Sequence, residues 1–144
     1  MILTIVLVII DQLSKILISK GDVQITLIKN LLNITYVENR GMVFGVAQGS
    51  VYIVGAISFV VCVALIAYVV KLKRDGQKVE KSIYMILAGG IGNMIDRLFR
   101  GYVIDFIDTP FIATFNLADS FVVIGVILLG ITYIYREIKN GVKP

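Results

Sequence analysis

Hydrophobic residues fill four long stretches of this 144-residue chain, and polar residues collect between them. Residues 51–70 are twenty consecutive positions without a charge, which is enough for a helix to cross a bilayer. Three further apolar stretches, each interrupted by polar residues or glycines, cover residues 1–19, 83–95 and 117–135. The pattern predicts four membrane-spanning helices.

The segment at residues 21–50 has a different pattern. Val23, Ile25 and Leu27 lie at alternating positions, and a second β-like run follows from Asn33 to Glu38. We expect a short extracytoplasmic sheet or ribbon here. Such a ribbon at the outer membrane interface is suited to accept an extended peptide along its edge.

Composition supports a membrane protein. The chain is 58% hydrophobic with a mean hydropathy of +0.90, well above the roughly 45–50% apolar content of soluble domains. Four spans use most of the length, so residues 1–144 are predicted to form a single membrane domain.

The net charge of +4 indicates topology rather than nucleic-acid binding, because the basic residues cluster at the ends of the apolar stretches. With four spans, both termini and the connection between spans two and three share one side. That side holds eight basic residues: Lys71, Lys73, Arg74, Lys78, Lys81, Arg136, Lys139 and Lys143. The opposite side holds five: Lys20, Lys29, Arg40, Arg97 and Arg100. The positive-inside rule predicts cytoplasmic termini, with Asp105 and the start of the fourth helix facing outward.

The chain contains no histidine, which excludes Ser-His-Asp and Cys-His catalysis and most zinc sites. Acid–base chemistry is left to carboxylates, and it requires no metal or other cofactor. The single cysteine, Cys62, lies within an apolar run and is interpreted as a packing residue.

Asp105 and Asp119 are one pair of acids that could carry out that chemistry. Pro110 lies between them and disfavours one continuous helix, so the chain can double back. Asp105 is then expected on a re-entrant or interfacial stretch, and Asp119 in the first turn of the fourth helix. Two close carboxylates share a proton, so that one is a base and the other an acid, as water-mediated peptide hydrolysis requires.

Simpler interpretations of these acids stay open. Asn116 can cap the fourth helix, with Asp119 at the third helical position, where the helix dipole favours a negative charge. Asp105 can be a loop acid at headgroup level, and Asp108 fits that description better.

Polar residues also occur within two of the predicted helices. Asn93 and Arg97 share a face at the end of the third helix, beside Asp96. They either bind a substrate backbone or hold the acids, or they form a helix end with a local ion pair. In the first helix, Asp11 and Lys15 have the spacing of an intrahelical pair that neutralises both charges.

Five motifs occur in order along the chain: Asp11-Gln-Leu-Ser-Lys15, Asn39-Arg-Gly-Met-Val-Phe-Gly45, Gly89-Gly-Ile-Gly-Asn-Met-Ile-Asp-Arg97, Val103-Ile-Asp-Phe106 and Phe115-Asn-Leu-Ala-Asp119. Together they resemble the motifs of the lipoprotein signal peptidase family, signal peptidase II. The resemblance implies a membrane all-α protein with four transmembrane helices, a small extracytoplasmic β-cradle and a short interfacial helix.

The resemblance also assigns roles to individual residues. It implies that Asp105 and Asp119 are the catalytic pair. Four positions are implied to line the substrate pocket: Asn39, Asn93, Arg97 and Asn116. Three are implied to give polar support: Asp11, Lys15 and Asp96.

The function implied is that of an aspartic endopeptidase in a bacterial inner or plasma membrane, with its site toward the outer face. Its substrates would be prolipoproteins, cleaved just before a lipobox cysteine that bears diacylglycerol, and membrane lipids would surround it. The main alternative is a small proton- or ion-conducting protein in which Asp11, Asp105 and Asp119 line a relay. A helical packing subunit would tolerate Asp105→Asn and Asp119→Asn, and a metal-dependent phosphotransferase would lose activity with chelator.

Overall fold

The computed structural model describes residues 1–21, 23–41 and 51–141. These residues form four helices and one four-stranded antiparallel sheet. In chain order the elements are α1 (Ile2–Ser19), β1 (Gln24–Ile28), β2 (Leu32–Asn39), α2 (Val51–Arg74), α3 (Lys81–Phe99), β3 (Val103–Thr109), β4 (Ile112–Phe115) and α4 (Leu117–Gly141).

Three of these helices are long and apolar enough to cross a membrane. An 18-residue window within each has a mean hydropathy of 2.1 in α1, 2.8 in α2 and 2.2 in α4. Large apolar side chains cover their outer surfaces, as Ile2, Tyr52 and Tyr133 illustrate with exposures of 80%, 78% and 65%. An apolar exterior of this kind is matched to lipid rather than to water.

Helix α3 occupies the centre of the bundle and packs against α1, α2 and α4. It is longer than the stretch 83–95 that hydropathy indicated, and its last turns carry buried Asn93 and Asp96. Gly89 lets α4 approach closely, because a Cβ there would collide with the carbonyl oxygen of Ala118 and lie 2.6 Å from Cγ2 of Val122. The packing therefore brings the end of α3 directly against the start of α4.

The strand order of the sheet is β1-β2-β3-β4. Strand β2 pairs with β3 so that Asn39 lies opposite Val103, and Val37 opposite Asp105. The sequence predicted β structure only within residues 21–50, so β1 and β2 agree with it. No strand was predicted around Asp105, where β3 and β4 form a β-hairpin.

Polar and apolar residues do not alternate along β3, because both faces of the strand are covered near its start. Four consecutive residues are almost inaccessible: Val103 at 3%, Ile104 at 1%, Asp105 at 2% and Phe106 at 6% exposure. A strand buried on both faces has no alternation of polar and apolar residues. Gly101, with φ of 76°, turns the chain from α3 into this strand.

The helices that the structure describes contain 18, 24, 19 and 25 residues. None of them is the short interfacial helix that the resemblance implies. Residues 42–45, which complete the motif that begins at Asn39, lie outside the described residues.

Candidate active site

Asp105 lies on β3 at the junction between the sheet and the helices, and it is 2% exposed. Each of its oxygens accepts a hydrogen bond from a side-chain amide. Asn39 Nδ2 donates to Oδ2 at 2.9 Å, and Asn116 Nδ2 donates to Oδ1 at 2.6 Å. Two amide donors from different elements thus fix the plane of this carboxyl group.

Asp119 lies in the first turn of α4 and is half-buried. The capping arrangement predicted from sequence is confirmed, since Asn116 Oδ1 accepts from the Asp119 backbone N–H at 3.0 Å. The Asp119 side chain reciprocates, because its Oδ2 accepts from the Asn116 backbone N–H at 3.3 Å. This is the geometry of a capping box, which leaves Oδ1 free for a partner on another helix.

Asn93 of α3 supplies that partner. Its Nδ2 donates to Asp119 Oδ1 at 2.7 Å, and its Oδ1 accepts from Asn116 Nδ2 at 3.1 Å. Asn93 and Asn116 therefore form a bridge of carboxamides with Asp119 at one end and Asp105 at the other. The structure brings together these four predicted site residues from α3, β3 and the start of α4.

Burial raises the pKa of Asp105, because a charge is costly where water is excluded, and the carboxylate of Asp119 raises it further. The hydrogen bonds from Asn39 and Asn116 act in the opposite direction by stabilising the ionised form. Repulsion from the charge of Asp119 therefore opposes ionisation of Asp105.

A buried ion cluster lies behind this bridge. Lys15 Nζ is 2.9 Å from Asp11 Oδ2 and 2.8 Å from Asp96 Oδ2, and all three side chains are fully buried. The predicted pair of Asp11 and Lys15 is therefore confirmed, and Asp96 joins it from α3. Asp11 Oδ1 also accepts from the Ala118 backbone N–H at 2.9 Å, which ties α1 to the first turn of α4.

Two members of the cluster were missed from the sequence. Arg100 forms an ion pair with Asp96, and Arg100 Nη1 also donates to Gln12 Oε1 at 3.1 Å. Gln12 is the second residue of the first motif, so its place in that motif was the sequence signal that could have identified it. The ion pair between Arg100 and Asp96 could have been predicted, because residues four positions apart lie on one face of a helix.

Arg97 is half-buried and lies against α2, beside Gly55. Its Nη1 donates to the Asn93 backbone oxygen at 3.3 Å, so the shared face of Asn93 and Arg97 is confirmed. The ion pairs of Asp96 are with Lys15 and Arg100, so the local ion pair considered for this helix end is not made by Arg97. Its positive charge acts on the carboxylates of Asp119 and Asp105.

Arg97 also borders a mostly apolar cavity of about 210 Å³ between α2 and α3. The other residues that line the cavity are Val51, Tyr52, Gly55, Ala56, Phe59 and Leu98. Arg97 therefore borders this cavity and also interacts electrostatically with the two carboxyl groups.

Asp108 belongs to a different environment. It accepts from Asn33 Nδ2 at 3.3 Å and from Thr114 Oγ1 at 3.4 Å, which are sheet neighbours on β2 and β4. Asp108 therefore has a local role within the sheet.

The arrangement is a candidate acid–base site at the end of a helical bundle, with one buried and one half-buried carboxyl group held by amide donors. Comparison with known proteins agrees with this class. The sequence profile of the family described as Signal peptidase (SPase) II matches residues 3–135. The chain therefore belongs to the signal peptidase II family, and it is a peptidase of a bacterial membrane.

Individual relatives match over nearly the whole chain. A lipoprotein signal peptidase of Caldanaerobacter subterraneus subsp. tengcongensis is 42% identical, with 94% of each chain covered. One from Halothermothrix orenii is 39% identical, with 97% of each covered. A solved bacterial membrane enzyme superposes with a TM-score of 0.82 at 32% identity, covering 99% of this chain and 91% of that one. A second gives 0.81 at 33% identity, covering 92% and 90%.

Proposed function

We propose that this protein removes signal peptides from diacylglyceryl-modified bacterial prolipoproteins, and that Asp105 and Asp119 carry out the hydrolysis. The observation that carries the proposal is the carboxamide bridge, which holds two carboxyl groups from different elements in one site. The curated relatives named lipoprotein signal peptidase support the substrate class.

The two carboxyl groups divide the chemistry between them. The ionised member takes a proton from water, whose oxygen attacks the scissile carbonyl carbon. The protonated member donates a hydrogen bond to the carbonyl oxygen, where negative charge develops. When the C–N bond breaks, the proton taken from water passes to the leaving amine of the cysteine. The assignment of the two roles belongs to the coupled pair rather than to either residue alone.

The membrane setting suits this substrate. In the proposed topology α3 is the third of four spans. It is less apolar than the other three helices, but its polar end is covered by α1, α4 and the sheet. The termini are cytoplasmic and the sheet is extracytoplasmic. The acyl chains of the modified cysteine would then stay in lipid while the scissile bond reaches the dyad near the outer interface.

Asn39 and Arg97 are placed to bind the substrate. Asn39 lies at the end of β2 and is exposed, while its amide contacts Asp105. Arg97 borders the apolar cavity and is near both carboxyl groups. A peptide extended between β2 and the end of α3 would pass over both. The proton- or ion-conducting alternative gains no support from the family to which the chain belongs.

The test is an assay with purified protein and two forms of one prolipoprotein, with and without the diacylglyceryl group. We expect a size shift from signal-peptide release with the modified form only, and the same rate in the presence of chelator. Equal cleavage of both forms would contradict the substrate assignment, and loss of activity with chelator would contradict the metal-independent mechanism.

A further inference from the structure

Lys15 reaches from the ion cluster into the carboxamide bridge. Its Nζ donates to Asn93 Oδ1 at 3.1 Å, in addition to its contacts with Asp11 and Asp96. An ammonium group has three N–H donors and no acceptor. Its three close partners are three acceptor oxygens, and the side chain is fully buried.

This contact restricts how the Asn93 carboxamide can be oriented. The Asn93 oxygen accepts from both Lys15 and Asn116, while the nitrogen donates to Asp119. Turning the amide by 180° would aim its N–H groups at the ammonium and at another amide donor, and would aim its oxygen at a carboxylate. Each of those contacts is repulsive, so only one orientation is compatible with a charged Lys15.

We propose that Lys15 is a positioning residue for hydrolysis, one that sets the direction of the carboxamide bridge and thereby the orientation of Asp119. The proposal rests on the function proposed above. A lysine suits this task because its ammonium can only donate, whereas a neutral amide at the same place could turn over together with Asn93. Burial of the charge is compensated by Asp11 and Asp96.

Compensation of charge is the competing explanation for Lys15, and it can be separated from positioning. Lys15→Met alone leaves excess negative charge in the cluster and is expected to destabilise the fold. The double variant Asp11→Asn/Lys15→Met removes one charge of each sign and keeps the volume of both side chains. Asparagine at position 11 also retains an oxygen to accept from the Ala118 backbone N–H. In this double variant the Asn93 oxygen has lost its cationic donor, while the net charge of the ion cluster is unchanged.

The experiment measures melting temperature, kcat and KM for the modified prolipoprotein in both variants. We expect the double variant to regain most of the stability lost in Lys15→Met while kcat stays lowered by about 10- to 100-fold, with much less change in KM. Recovery of kcat together with stability would show that Lys15 only balances charge, and would overturn the proposal.

A matched control removes an ion pair at the other end of the bundle. Glu80 and Arg136 form that pair, and Glu80→Gln/Arg136→Met should leave kcat at the wild-type value. If Asp11→Asn/Lys15→Met fails to fold, Asp11→Asn/Lys15→Gln decides instead. Its kcat should be below wild type because the glutamine amide can turn over, and a wild-type kcat would overturn the proposal.

Failure of this inference is distinguishable from failure of the proposed function. Asp105→Asn and Asp119→Asn are measured in the same assay. If they abolish cleavage while the neutral double variant retains full kcat, the dyad stands and the role of Lys15 does not.

Discussion

Asn116 joins Asp105 to Asp119, because its Nδ2 donates to Asp105 Oδ1 at 2.6 Å while its Oδ1 accepts from the Asp119 backbone N–H at 3.0 Å. One fully buried side chain thus caps α4 and orients the carboxyl group on β3. The capping role and the orienting role use different atoms, so substitution can separate them.

Asn116→Ser is the substitution that separates these roles. Serine caps a helix nearly as well as asparagine but has no amide to donate to Asp105 or Asn93. We expect a marked loss of kcat, together with the loss of stability that follows when two buried acceptor oxygens lose their donor, which Asn116→Ala shares. Asn116→Ala should lose the cap as well, at a cost of about 1 kcal/mol in the free energy of unfolding. Thermal unfolding in detergent and the prolipoprotein assay measure the two effects, and a serine variant with wild-type kcat would contradict the orienting role.

Close packing at Gly89 holds the first turn of α4 in place. Gly89→Ala would push Cβ into the Ala118 carbonyl and Val122, so we expect destabilisation of about 1–3 kcal/mol and reduced activity. Gly130 provides the matched control, since a Cβ there meets nothing within 4 Å. Gly130→Ala should be neutral or stabilising by up to about 1 kcal/mol, as expected for an open helix position. Equal melting temperatures for the two variants would contradict this packing.

The raised pKa of Asp105 predicts a pH dependence of stability. When the pKa of a carboxyl group is higher in the folded than in the unfolded state, the group stabilises the fold fully at pH values below its unfolded pKa. That stabilisation is lost as the pH rises through the folded-state pKa. Asp105→Asn removes this titration. The melting temperature of wild type minus that of Asp105→Asn should therefore fall as the pH rises above the ordinary pKa of an aspartate, about 4.

Asp119 provides the second arm of that measurement. In an Asp119→Asn background the repulsion on Asp105 is gone, so the fall should move to lower pH. A melting-temperature difference that rises with pH, or one that does not move when Asp119 is replaced, would contradict the coupling of the two carboxyl groups.

Local signals in the sequence were enough for part of this structure. The uncharged run at residues 51–70 lies within α2, and the spacing of Asp11 and Lys15 predicted their ion pair correctly. Capping of α4 by Asn116 was one of the interpretations left open by the spacing of Asn116 and Asp119, and the structure shows it. Each of these features depends on residues within a few positions of one another, which is where sequence patterns are informative.

Several features set by distant contacts were not predicted. Strand β3 is buried on both faces by helices and neighbouring strands, so it carries no alternating pattern. The partner of the Asp11 and Lys15 pair, Asp96, lies on another helix more than 80 positions along the chain. Asn93 was identified as a polar residue on the same helix face as Arg97. Its position between Asp119 and Lys15 depends on how α1, α3 and α4 pack.

The most direct test of the catalytic pair compares three aspartate variants in the prolipoprotein assay. Asp105→Asn and Asp119→Asn should each lower the cleavage rate by at least about 100-fold, the scale of lost acid–base catalysis, while remaining folded. Asp108→Asn is the matched control, because its partners Asn33 and Thr114 lie within the sheet, and it should cleave at the wild-type rate. Full activity in either Asp105→Asn or Asp119→Asn would contradict the account.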